Sequence, residues 1–463
     1  MGVDLAAVPG TGTIMGWIRE VVAQGIRRPG YPADAWAEGW IAERFRAFGL
    51  ERVRAEPIEV RRWEPTAWSL VVTAADGGRH AVDCFPLPYA RPTPPGGLDL
   101  DLVAWDDADP AAVAGRAALR DVTLTRLPGD LLARAGSAPA DPEAVAARIV
   151  DPGGTLGEPH ILPFGPEIMA VTDRVSAAGG AAFVGVLRGY PGDSHHYYVP
   201  YDAVDRPLPA VWINESAGGR LRDLLAAGPA RAHLTVECDC RTVTSHNVVG
   251  ELAGADDEVV MIGSHHDGPW NSAVEDGSGI ALVLAQAATW AAQPPEDRPH
   301  RLVFVLQGGH MAGGAGLHGY IGAHRDELGR VVLEVHLEHA ALEVGDDGPS
   351  GRPVPRWWFT SRNPALEDGV VAALRAEGLD RSLLLAPDAL GPQPTTDGGY
   401  YHTEGVPIVN FLAAPHYLFD AMDTLDKVDV DNLVPLTRAA ARIVAGTAGI
   451  SAGAMRAGVV GAA

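Results

Sequence analysis

From residue 243 onward the chain repeats one rhythm of apolar strand, loop and helix, and that rhythm leaves few folds open. Strands are expected at 259–263, 301–307, 331–337, 357–360 and 408–413, and helices at 279–292, 315–328, 364–379 and 430–447. Strands alternating with helices of this length argue for an α/β fold, a mostly parallel central sheet flanked by helices. In such sheets ligands bind where the loops gather, at the C-terminal ends of the strands.

Upstream, Ile14, Trp17, Ile18, Val21 and Val22 recur at helical spacing, and Arg28-Pro29-Gly30-Tyr31-Pro32 breaks the pattern. A second helix follows, ended by Gly49, and then a strand over 51–60. From 68 to 242 the texture changes to short strands, Gly/Pro/Asp-rich turns and a single clear helix–strand unit, which reads as an inserted α+β domain. The expected organisation is 1–67 and 243–463 as parts of one domain, with 68–242 inserted between them.

Formal net charge is −23, from 59 acidic and 36 basic side chains, a surface that repels phosphate backbones and anionic lipid. Nucleic acid and membrane are therefore poor partners, and a peptide or small-molecule substrate is expected. The first residues lack a basic region followed by an apolar stretch, and no run of about eighteen apolar residues occurs. The three cysteines, Cys84, Cys238 and Cys240, suit a reducing compartment, so a cytoplasmic location is expected. Cys238 and Cys240 read as alternate residues of a strand rather than as metal ligands.

The strongest chemical signal is Gly263-Ser264-His265-His266-Asp267, followed by Glu275-Asp276-Gly277-Ser278-Gly279. A buried strand ends and delivers an imidazole and a carboxylate at its tip. Asp267, two residues on, is placed to accept the proton of the non-ligating nitrogen of His265. Glu275 and Asp276 open a helix, where carboxylates are favoured and can also bind a cation.

With 247–252, 301–316, 335–338 and 423–429, these segments resemble the co-catalytic zinc aminopeptidases, a family that includes glutamate carboxypeptidases and glutaminyl cyclases. The hairpin at 25–30 is similar too, and the insertion resembles a protease-associated domain. The resemblance implies five metal-ligand positions and a general base. The first ligand falls on His265, with Asp267 its supporter, and the bridging carboxylate falls on Glu275, with Asp276 beside it. Two adjacent glutamates of the family, base and ligand, are replaced by His310 and Met311. The next ligand falls on Glu338, and the last, a histidine in the family, on Phe419. A thioether and a phenyl ring offer nothing to a zinc ion.

The resemblance thus implies a rebuilt site holding one divalent transition metal, zinc before iron or nickel, on His265, Glu275, Glu338 and His310. His310 and Asp267 are the expected catalytic residues. Further ligands or pocket residues are expected among Asp276, His336, His339, His402, His416, Asp397 and Trp270. His336 and Glu338 share a strand face, and His339 points the other way if the strand continues. The aromatic run 193–201 is a further candidate for the pocket wall. The expected function is metal-dependent hydrolysis of an amide in a peptide or small amino-acid-like substrate. One-metal non-hydrolytic chemistry, as in the cyclases, and a metal-free binding protein are the alternatives.

Overall fold

The computed structural model describes residues 3–131, 142–165, 167–345, 348–391 and 394–459. A 15-stranded sheet runs through the molecule. Its body has the order Ala230–Leu252, Arg301–Gln307, Val259–His265, Val331–Leu337, Ile408–Ala413, Arg356–Thr360, Ser382–Leu385. Val259–His265 lies parallel to both neighbours, and Val331–Leu337 is parallel to Ile408–Ala413. Antiparallel pairings at either side make the sheet mixed.

Both faces of this body are covered, as continuous apolar strands require. Alternation sorts the side chains. Val259 and Met261 join Leu317, Tyr320 and Tyr401 in one core, whereas Val260 and Ile262 join Ile280, Val283 and Leu436 in the other. Helix Gly279–Ala291 is apolar all round because Thr11–Val22, Pro32–Phe48 and Leu433–Ala445 pack against it. The expected helices are present but end or begin short, most of all Ala315–Ala323 and Leu433–Ala445, and by three residues Pro364–Ala376. Helix Asp397–Thr403 and strand Ser382–Leu385 are additional.

The strand expected at 51–60 runs on from Glu51 to Thr73. It pairs antiparallel with Ala230–Leu252, in a ladder from Glu51↔Glu251 to Thr73↔Arg231. Both expected domain boundaries therefore fall inside continuous strands. Pro57 and Pro65 are tolerated because the other side of the strand is paired only at Leu70–Thr73, leaving an edge where no donor is needed. Beyond this ladder, Leu98–Ala104, Ala117–Thr123, Ala182–Arg188 and Ala210–Asn214 build a smaller core under helix Glu215–Ala227. Among the described residues no helix is long and apolar enough to cross a membrane.

Candidate metal centre

The three parallel strands end at one place, and their tips deliver the expected residues there. His265 closes Val259–His265, and Glu338 and His339 follow Val331–Leu337. His310 stands just after Arg301–Gln307, and Glu275 lies in the turn Ala273–Ser278 that leads into helix Gly279–Ala291. That turn is held from two sides. Asp423 accepts the N–H groups of Val274 and Glu275, each at 2.8 Å. From the other side the buried guanidinium of Arg27 donates to the carbonyls of His266 (3.2 Å), Ser272 (2.8 Å) and Asn271.

Hydrogen bonding fixes the tautomers of two imidazoles. His265 Nδ1 lies 2.9 Å from the carbonyl oxygen of Asp267, and His339 Nδ1 lies 2.9 Å from that of Ala413. A carbonyl only accepts, so each Nδ1 carries a proton and each Nε2 is left as the inward-facing atom. Both Nε2 atoms turn to Glu275. His339 Nε2 is 2.5 Å from Oε2 and His265 Nε2 is 3.4 Å from Oε1. None of these four buried atoms makes a well-aligned hydrogen bond.

His310 differs. Its Nδ1 is 2.9 Å from the Asp397 carboxylate, and its Nε2 is 3.8 Å from Glu275 Oε1. Its ring stacks on that of His265 with centroids 4.0 Å apart and planes 6° from parallel. Burial disfavours the charged ring, but Asp397 outweighs it and holds the His310 pKa well above the usual range. Burial also opposes protonation of His339, yet Glu275 raises it to about 10. Burial, then His310 and His339, push His265 well below its ordinary value.

Over this cluster lies a cavity of about 430 Å³. Glu275, His310, Glu338, His339 and Asp397 contribute to its lining, with Phe164, Tyr201, Trp357, Leu412 and Phe419 forming apolar wall. Tyr201, from the aromatic run, stacks on His310 at 5.4 Å and lies 4.9 Å from Phe419.

Several expectations are corrected. The carboxylate of Asp267 does not orient His265; it accepts the main-chain N–H groups of His310 (3.0 Å) and Met311 (2.7 Å), while its carbonyl meets the ring. His339 does not point away, because the strand ends at Leu337 and a left-handed backbone at His339 (φ 57°) turns the ring inward. His336 binds Glu334 at 2.9 Å and stands behind Glu338 at 3.6 Å, without lining the cavity. Asp276, 3.9 Å from His265 Nε2, has its oxygens on Ser264 and on Gly279 N–H. Burial raises its pKa to about 7.

His416 is buried edge-on against Tyr190 and Tyr417, away from the cluster, and burial lowers its pKa to about 3. His402 contacts Ser361 at 3.3 Å and does not reach the cavity. Trp270 stands behind the wall, donating to the carbonyl of Phe419 at 3.1 Å, and His196 packs on its edge. The clamp of Arg27 and Asp423 went unassigned, although both residues lie in segments that carry the family resemblance.

The donor set suits a metal ion. His265, Glu275 and His310 offer ligand atoms within 4.8 Å of one another, and so do His265, Asp276 and His339. Residues 247–444 match the family model of peptidase family M28. The fold is similar to that of a peptidase M28 precursor from Shewanella amazonensis SB2B, with 20% identity and a TM-score of 0.70 over 93% of this chain and 92% of that one. It is also similar to an aminopeptidase from Aneurinibacillus sp. strain AM-1, at 18% identity and TM-score 0.64, covering 95% and 94%. BSAP, a zinc aminopeptidase from Bacillus subtilis, is similar at 16% identity and TM-score 0.66, covering 95% of each. A comparison with curated proteins gives no match.

Proposed function

We propose, from the match of residues 247–444 to the family model of peptidase family M28, a hydrolase of amide bonds that works with one zinc ion rather than two. The observation that carries this reading is the convergence of His265 Nε2 and His339 Nε2 on Glu275. Each ring donates its Nδ1–H to a main-chain carbonyl, which leaves both Nε2 atoms facing the Glu275 carboxylate, and none of these inner atoms makes an aligned hydrogen bond. Buried polar atoms are rarely left in this state unless something binds them. Glu338, beside His339 at 3.7 Å, supplies a further oxygen. The set is the nitrogen and oxygen mixture that zinc accepts.

At the cavity, the two further ligand positions that the resemblance implies offer nothing to a second ion. Met311 is fully buried in the apolar core, and Phe419 belongs to the aromatic wall of the cavity.

The stacking geometry supports one of the two roles that the sequence leaves open for His310. A ligand nitrogen directs its lone pair in the plane of its ring. Two rings 6° from parallel and 4.0 Å apart have no shared in-plane point close to both nitrogens. His265 is therefore assigned as ligand and His310 as the proton carrier. Asp397 holds the proton-bearing Nδ1 of His310 and keeps the ring charged, so Nε2 can deliver a proton to a leaving nitrogen. Zinc in such a set supplies Lewis acidity towards a carbonyl group and towards water. Tyr201 and Phe419 exclude bulk water from one side of the cluster and orient the substrate's apolar part.

Chelation tests the proposal. Hydrolysis of an amide substrate should disappear after metal removal and return in full on adding about one equivalent of zinc. Hydrolysis that survives metal removal contradicts it.

A further inference from the structure

The base of the cavity is crowded with charged groups, but each is already balanced by a neighbouring group of opposite sign or by a donor. Among the described residues that line it there is no arginine and no lysine. Its four carboxylates, Asp202, Glu275, Glu338 and Asp397, each lie against an ion-pair partner. Asp397 holds His310 Nδ1 at 2.9 Å, and Glu275 faces His339 Nε2 at 2.5 Å. Glu338 accepts from Asn410 Nδ2 at 3.1 Å, and its other oxygen lies 3.7 Å from His339 Nε2. Asp202 accepts the N–H of Val204 at 3.1 Å and pairs with the buried Arg206. A dication held by Glu275 and Glu338 would be neutralised by those same two carboxylates, so metal loading frees no counter-charge.

The remaining wall is apolar and largely aromatic. Tyr201 and Phe419 lie 4.9 Å apart and Phe164 follows at 6.4 Å, with Met169, Trp357 and Leu418 completing that side. A free ammonium or carboxylate entering this space would lose its hydration and meet only charges already paired with one another, whereas an apolar group gains from leaving water.

We propose that the cavity takes an uncharged substrate: an amide whose neighbouring amine is acylated and whose carboxyl group is blocked, with an aromatic or large aliphatic side chain against Phe164, Tyr201 and Phe419. The amide bond as target rests on the hydrolase reading above; the charge preference rests on the lining alone. The chain would then share the aminopeptidase fold without taking the free amino terminus.

Three probes of similar shape test this on the zinc-reconstituted full chain by titration calorimetry at pH 6, where a free α-amine is protonated. They are N-acetyl-phenylalaninamide (neutral), phenylalaninamide (cationic) and N-acetyl-phenylalanine (anionic). The neutral probe is expected to bind at least about tenfold more tightly than either charged one. Equal or tighter binding of a charged probe overturns the proposal, as does the failure of all three to bind.

Turnover is read separately. A neutral probe that binds but is never cleaved supports the charge preference and removes the hydrolase reading; cleavage without charge discrimination does the reverse. Thr395→Asp adds an unpaired carboxylate on the exposed rim of the cavity and should narrow the gap between phenylalaninamide and the neutral probe. An unchanged gap counts against the proposal.

Discussion

At the scale of single residues, the site is a matter of where protons are fixed. His265 and His339 each give Nδ1–H to a main-chain carbonyl, so both present the nitrogen a metal requires without a side-chain carboxylate to orient them. His310 donates its Nδ1–H to the Asp397 carboxylate instead, and on that difference rests its proposed role as proton carrier. Asp397→Asn keeps the shape and removes the charge. It should lower kcat by about 10²–10⁴-fold while zinc content stays at the wild-type level, measured by steady-state kinetics beside metal analysis. Loss of zinc in that variant would instead place His310 among the ligands. His265 and Glu275 were legible because a strand tip and a Gly-rich helix start mark them in the sequence, whereas His310 was reached only through the family resemblance. The inward turn of His339 was not, since nothing in Leu337-Glu338-His339-Ala340 signals a left-handed backbone at a histidine.

At the scale of elements, the loop from His265 to Gly279 is held less by its own residues than by two distant ones. Arg27 comes from the segment between helices Thr11–Val22 and Pro32–Phe48, and Asp423 from the loop after Ile408–Ala413. Between them they satisfy main-chain groups that would otherwise be buried without partners. Arg27→Lys keeps a charge but not the fork of donors. It should destabilise the fold by about 1–3 kcal/mol and weaken zinc binding by about 10–100-fold. Thermal unfolding and chelator competition measure the two effects. An unchanged zinc affinity would show that the clamp serves stability alone. The strand–helix alternation made the elements of the body readable, because apolar runs and helical periodicity are local signals. The lengths of Glu51–Thr73 and Ala230–Leu252 were not, because each is extended by pairing with a partner far away in sequence.

At the scale of the molecule, the segment beyond the long ladder folds back over the cavity. Tyr197 pairs with Asp420, and Tyr198 N–H donates to the carbonyl of Phe419 at 2.9 Å, so the loop bearing the aromatic wall is tied to that segment. The Asp420 carboxyl is buried there beside Tyr190, and burial raises its pKa to about 7. An unfolded aspartate titrates near 4, so the folded state binds the proton more tightly. This group's stabilisation is complete below about pH 4 and is lost as pH rises through about 7. Tm should therefore fall between pH 5 and 8, and Asp420→Asn should flatten that slope; an unaltered slope would remove Asp420 as its source. The resemblance to zinc aminopeptidases announced this architecture, and the match of residues 247–444 to family M28 agrees with it. In the proposed centre, Met311 and Phe419 limit the number of ions to one. Elemental analysis of the purified chain by mass spectrometry, beside His265→Ala, measures that number directly. One equivalent of zinc, lost in the variant, is the predicted result; two equivalents, or none after reconstitution, would contradict the one-metal centre.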